Sequence, residues 1–515
     1  MNLLIDPLFR AQTDRGLEQL SLPALLAGYG QGRVHQLVGM QRHQHDSFHV
    51  FLCYLAGAVL TRLNDRNPVQ DEEYWKDGLL FLAGEAGMDA WRLVVEDTTR
   101  PGFMQAPLPS NGLRPTSTVT TPDELDVLQT AKNHDVKRMR AGAASLDTWV
   151  YSLISLQTMS GFLGRGNQGI SRMNKGFGNR PVVEVTRTRN LGERWCDAVL
   201  RLLEHRRKVL NQAFGFDPNG LVLVWLEPWD GEKSLELKEL DPFYVEVCRR
   251  VRLKGNETGL VAQLYSANQP RIAAKELAGV VGDPWLPIEG ATGGMKALTF
   301  PPAGITAEHM RRILFSDNLE LHSLQKPLPS WQDDLWLSVS VLVRGQGITD
   351  GFYVKEVRIP KRKVPLVFGG SEESHQLAAL SKVGIEYAGA MKNKVLKNAV
   401  FSYILGAPTE LKWDHKFAAS IWQTVERRYE ALWSDEYFPW LLSLPEDFEE
   451  EEALRSWLEI LETHAVSIIQ DVEESLPNHT GRQYRVKTEI RTRFWGAYYR
   501  VFPFMRGERV EQIIS

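Results

Sequence analysis

The residues best suited to chemistry lie between Ser160 and Val183, in the run SGFLGRGNQGISRMNKGFGNRPVV. It holds four cations (Arg165, Arg172, Lys175 and Arg180), six glycines and no carboxylate. Glycine permits positive φ and close backbone approach at an entropic cost that an ordinary connection has no reason to bear. Backbone amides and cations without competing carboxylates suit a phosphate chain. Within the run, Gly164-x-Gly166-x-x-Gly169 matches the dinucleotide fingerprint, which requires a preceding strand and a helix opening from it. Here Trp149 to Met159 reads as either helix or strand, and a second glycine cluster and the strand-like Pro181 to Val185 follow. The context therefore argues against a dinucleotide site, and a plain flexible connection is the competing reading.

A second cationic block precedes the first. Lys132, Asn133, His134, Lys137, Arg138 and Arg140 run into the small-residue sequence AGAAS, which reads as a solvated helix end or a second loop aimed at phosphate. Two cationic, flexible elements joined by a short apolar piece are expected to face one ligand. Elsewhere the signals are weaker. His45 and His49 have the i, i+4 spacing of a shared metal, but there is no HExxH glutamate and no distant ligand, so solvated histidines near a helix start are the expectation. Lys275, a single loop lysine, is uninformative by itself. A matched acid and base, a nucleophile motif and a Walker lysine are all missing, so an enzyme is not expected.

The totals narrow the classes further. The chain has 515 residues, 43% hydrophobic and 24% charged, which suggests two to four ordered domains. Its 60 basic and 64 acidic residues give a net charge of −4, so nucleic-acid binding would need local patches. Cys53, Cys196 and Cys248 are far apart, with no CxxC spacing and no disulfide framework. Neither a membrane span nor a signal peptide is evident, and a cytoplasmic location is expected.

These residues must be positioned by an α+β chain with two characters. Asn2 to Ile5 reads as a strand, Gln41 to Leu63 as a buried helix, Glu72 to Glu96 as one or two helices, and Pro101 to Pro115 as a connector. A helix is expected from Pro122 and another over Gly192 to Phe214. Strands are expected at Val182 to Val185, Leu221 to Trp229, Phe243 to Leu253, Leu335 to Val343 and Tyr353 to Ile359, the last after a GQG hairpin turn. After Gly369-Gly370 the period changes. Four apolar stripes (Leu377 to Tyr403, Phe417 to Leu432, Leu454 to Leu476 and Val486 to Val501) predict a four-helix bundle with short connections. The expected organisation is a large mixed α/β domain over 1–370, a polar loop over 371–376, and the bundle over 377–515.

The order of these features resembles the large subunit of the type I-E CRISPR surveillance complex, Cascade, the family called CasA. The start Met1-Asn2-Leu3-Leu4-Ile5-Asp6, the Phe103-Met104-Gln105 segment, the glycine loop, the GQG turn, the Gly369-Gly370 boundary and the bundle carry it. The resemblance implies a non-catalytic, cofactor-free protein that works with other Cascade subunits and a CRISPR RNA. It implies binding of the protospacer-adjacent motif (PAM) of double-stranded DNA from the minor groove, a start to strand separation, and recruitment of a helicase-nuclease. By the same resemblance, Gly164, Arg165 and Gly166 belong to the motif-facing loop, and Lys275 is similar in placement to a minor-groove lysine. Gln376, with His375 one residue away, is similar to a separating glutamine. Lys132, Asn133, His134, Lys137 and Arg138 fall in a loop that reaches DNA and a neighbouring subunit. Some members carry a cysteine cluster near Lys254 to Gly259; this chain has none, so zinc is not expected. Two other classes compete: a nucleotide-dependent enzyme using Gly164 to Gly169, and a purely structural scaffold.

Overall fold

The structure is a computed structural model that describes residues 1–110, 112–127, 144–256, 259–345, 348–476 and 483–506. The chain forms two compact units. One comprises Met1–Ile305 with Ser316–Arg358, the other Thr306–Phe315 with Ile359–Ser515. The boundary therefore falls earlier than residue 370, and the second unit takes in a helix, Ala307–Leu314, that lies far from the bundle in sequence. Its Met310, Ile313 and Leu314 are buried, which gives so short a helix a reason to form against a larger body.

The first unit is built around the helix His45–Arg62, buried without interruption from Ser47 to Leu60. A helix apolar on all sides needs a complete coat. Helices Glu72–Ala83, Leu146–Met159 and Leu191–Leu210 supply part of it. The sheets are small. One has the order Ile348–Ile359, Leu335–Gly345, Pro181–Thr186; another has Ser117–Val119, Gly259–Tyr265, Arg250–Asn256.

Several predicted strands are interrupted, each for an identifiable reason. Leu221 to Trp229 is strand only over Leu221–Leu223, because the carbonyls of Val224, Glu227 and Pro228 turn to the buried guanidinium of Arg271. Phe243 to Leu253 splits into Leu240–Val245 and Arg250–Asn256, and the amides of Cys248 and Arg249 between them donate to Gln157 Oε1 at 2.9 and 2.7 Å. Asn2 to Ile5 is a turn rather than a strand, with Leu4 N donating to Asn2 Oδ1. The helix at Pro122 has a single turn, Pro122–Leu125, within the described residues. With so much irregular backbone, buried side chains must satisfy the peptide groups that sheets would otherwise pair. Gln105 is one of them: its Nε2 donates to Leu93 O and Phe103 O, and its Oε1 accepts from Leu253 N.

In the second unit all four predicted bundle helices are present. The first runs through Glu372–Ala390, a π-helical stretch Met391–Leu396 and Lys397–Ile404; the others are Lys416–Ser443, Glu450–Ser475 and Gln483–Val501. Their core is aromatic: Trp440 stacks on Trp457 at 4.7 Å, and Trp457 Nε1 donates to Gly384 O. Tyr437 likewise gives its hydroxyl to Ser381 O. Among the described residues no helix is long and apolar enough to cross a membrane.

Candidate nucleic-acid interface

The glycine-rich run is a folded loop with roots and a tip. Ile170 N donates to Ser160 O and Phe162 N to Gly176 O, so the chain closes on itself. The close approaches explain the glycines. A Cβ at Gly161 would lie 2.6 Å from Arg344 O, and one at Gly169 would collide with Gly176 O. At the tip, Asn167 N donates to Gly164 O and Leu163 N to Asn167 O, with Gly164 and Gly166 at φ +105° and +87°. Gly166 O accepts from Ala267 N, which fixes the tip against the segment after strand Gly259–Tyr265. The helix Leu146–Met159 precedes the loop, and a single 3-10 turn, Asn174–Gly176, stands between it and the strand Pro181–Thr186. The dinucleotide geometry is thus lacking on both sides.

The four cations of the run divide into two pairs. Arg172 is buried, its guanidinium 3.6 Å from the Tyr244 ring centroid and 3.6 Å from Glu246 Oε2. Arg180 is buried as well and bonds Asp283 at 2.7 to 2.8 Å. Both belong to the core, contrary to a reading in which the whole run offers charge to a ligand. Arg165 and Lys175 are exposed, and Lys175 adopts φ +52° in the turn.

Lys275, which the sequence left isolated, comes to this loop. It opens the short turn Lys275–Leu277, is exposed, and holds its Nζ 5.8 Å from the ring of Phe177. Gly279, two residues after the turn, lies so close that a Cβ there would be 2.8 Å from the Met173 carbonyl carbon. The two segments enclose a cavity of about 170 Å³ lined by Phe162, Gln168, Lys175, Phe177 and Lys275 among others, and by no carboxylate. Phe177 is 44% exposed and packs on Phe162 at 5.0 Å. Sequence reasoning missed this aromatic pair, although each phenylalanine directly follows a glycine of the run.

Arg344 is a second omission. Gln346 and Gly347 of the expected GQG turn lie outside the described residues, and from the end of strand Leu335–Gly345 Arg344 donates to Ser160 Oγ at 3.3 Å, to Val127 O at 2.5 Å, and pairs with Asp126 at 2.8 Å. It thereby ties the first residue of the glycine run to the chain just before the basic block. His43 Nε2, Gln44 Nε2 and Ser155 Oγ complete the shell of Asp126. Burial would raise that carboxyl, but Arg344 and His43 outweigh it and hold it well below the usual range. Lys132, Asn133, His134, Lys137 and Arg138 themselves lie outside the described residues.

The histidine cluster dissolves into similar networks. His43 faces Asp126 at 2.7 Å and His49 faces Glu184 at 3.5 Å, both buried rather than solvated, while His45 is exposed. Among the described residues no group of three or more His, Cys, Asp or Glu side chains is arranged to hold a metal.

His375 and Gln376 are not on a loop. Ser371 caps the helix Glu372–Ala390 by accepting from Ser374 N, and Glu372 and Glu373 occupy the first turn. A serine followed by two glutamates is a helix start, favoured by the cap and the helix dipole, and this is what the polar composition signified. Both side chains are exposed on that turn, in the second unit, whereas the glycine loop and Lys275 lie in the first.

Known structures of the same fold span nearly the whole chain. Thermus thermophilus CasA is 13% identical, with a TM-score of 0.64 over 96% of this chain and 99% of that one. Thermobifida fusca Cse1 is also 13% identical, with a TM-score of 0.65 over 98% and 99%. For Acidimicrobium ferrooxidans Cse1 the identity is 14% and the TM-score 0.62 over 97% and 98%. No curated protein matches the chain in sequence. A family model described as CRISPR-associated protein Cse1 matches residues 2–468, so the chain belongs to the Cse1 family, also called CasA.

Proposed function

We propose that this protein is the non-catalytic large subunit of a type I-E Cascade. It recognises the PAM of foreign double-stranded DNA from the minor groove, starts strand separation for the R-loop, and helps recruit the helicase-nuclease. The observation that supports this reading is the meeting of Lys275 with Lys175 and Phe177 of the glycine run at a cavity that no carboxylate lines, in a chain of the Cse1 family. Lysine, loop amides and an aromatic edge suit a narrow groove whose hydrogen-bonding code is degenerate. Sequence reading is then delegated to guide pairing, with protein contacts limited to a short motif and shape.

His375 and Gln376 act at the first base step in this reading, held on a helical turn that limits their motion. The basic block from Lys132 to Arg138 adds contacts to DNA or a neighbouring subunit. Assembled with the other Cascade subunits and CRISPR RNA, the Lys275→Ala variant is expected to lose binding to motif-bearing duplex far more than to a target already opened into single strands. Equal losses on both substrates would remove Lys275 from motif reading.

A further inference from the structure

The π-helical stretch Met391–Leu396 in the first bundle helix has a consequence of its own. Such turns add a residue to the helical cycle and are frequent at functional sites. With the turn that follows, it puts Asn393, Lys394, Lys397 and Asn398 on the wall of an open cavity of about 410 Å³, flanked by Trp413 and Arg500. No carboxylate lines this cavity. Lys392, on the same stretch, bonds Glu426 and Glu430 at 3.0 and 2.7 Å. Lys394, Lys397 and Arg500 form no ion pair among the described residues.

Lys397 is the more informative cation. It is half-buried, and its Nζ lies 5.7 to 5.8 Å from the rings of Phe401, Trp413 and Trp422. Aromatic faces hold an ammonium in place without neutralising it. Trp413 is 48% exposed and braced by Phe401 at 5.1 Å. Three uncompensated cations, two amides and a propped indole thus line a cavity large enough for a small organic ligand.

We propose that this cavity binds a nucleoside phosphate, its phosphate against Lys394, Lys397 and Arg500 and its base against Trp413. Asn393 offers an amide to the base edge, and Asn398, whose Nδ2 donates to Lys394 O, offers its Oδ1. An acidic peptide would answer the cations alone and leave the indole and amides unused. A free mononucleotide and a nucleotide within a single strand share this chemistry.

The full chain is to be titrated with AMP, with a short labelled oligothymidylate, and with inorganic phosphate. Lys394 and Arg500 are exposed, so Lys394→Glu with Arg500→Glu should fold, which circular dichroism checks. The double variant is expected to weaken AMP, the oligonucleotide or both by about tenfold or more, as the loss of two charge-assisted contacts predicts. Losses for AMP identify a free nucleotide; losses for the oligonucleotide alone identify a strand. Trp413→Ala is expected to weaken the same probe about tenfold while leaving phosphate unchanged, since stacking is sequence-tolerant but needs a base. Unchanged binding of AMP and oligonucleotide in the double variant, or competition by hexaglutamate as strong as by the nucleotide probe, would overturn the proposal.

Discussion

Neutralising Arg165, Lys175 and Lys275 together tests the proposed DNA surface most directly, because the fold itself does not depend on their charges. All three are exposed and form no ion pair among the described residues, so replacement by glutamine leaves no buried partner stranded. If each neutralises one phosphate of duplex DNA, each contributes about 0.9 to the slope of log affinity against log salt, and the three together about 2.7. Between 50 and 200 mM salt that amounts to roughly 3.5-fold per cation and roughly 40-fold for the set. The wild-type complex should therefore lose about 40 times more affinity over that range than the triple variant does. Fluorescence anisotropy of a labelled motif-bearing duplex, titrated with assembled complex at four salt concentrations, measures both slopes. Arg180→Gln serves as the contrast: its guanidinium is buried on Asp283, so it should lower the unfolding midpoint and leave the slope alone. An unchanged slope in the triple variant would refute the reasoning, and a drop below about 1 would leave no more than a single phosphate contact.

Three further outcomes are expected. Gly169→Ala changes no charge but forces the loop open against Gly176 O, at a cost of ~1–3 kcal/mol; duplex binding should fall while circular dichroism stays native. Gln376→Ala with His375→Ala should slow R-loop formation on linear duplex, and much less on a target with a pre-melted seed, as stopped-flow fluorescence would follow. Glu184 carries a pH dependence: burial would raise its carboxyl, but Arg194 and His49 outweigh that and bring it down from 4.5 to about 2. A depressed carboxyl contributes stability above its unfolded pKa, here ~3 kcal/mol, which is lost as pH falls from about 4.5 towards 2. Glu184→Gln should flatten that part of the denaturant-midpoint profile and also destabilise at neutral pH, since Arg194 loses a buried partner.

The bundle was legible because each helix repeats an apolar residue every three or four positions over several turns, and Glu449 to Glu452 mark a helix start. The glycine loop was legible from composition. Its internal division was not: nothing local tells Arg165 from Arg172, and the difference arises from Glu246, Tyr244 and Asp283, which lie far along the chain. Lys275 carried no signal in its own neighbourhood, and its meeting with Phe177 is a tertiary event. Leu221 to Trp229 has the composition of a strand, but Arg271 captures the carbonyls that a strand would have paired. The misread Ser371 to Gln376 is different in kind. Its cap and two glutamates were present in the sequence, and only the polar composition was given weight.

If the glycine loop reads a motif as proposed, its division into roots and tip also bears on how that preference changes over generations. Arg172 and Arg180 commit the roots to carboxylates contributed by distant segments, so a substitution there is felt as a folding defect before it is felt as altered recognition. Among the described residues Leu163 to Asn167, with Lys175, makes no such ion pair with the interior, and the tip is tied down only where Gly166 O accepts from Ala267 N and Gln168 Nε2 donates to Ala267 O and Asn268 O. Under that reading, substitutions at the tip and at Lys175 alter recognition without disturbing the core, whereas transplanting the entire loop between relatives would import arginines without their acids. Swaps confined to the tip are the natural unit of exchange.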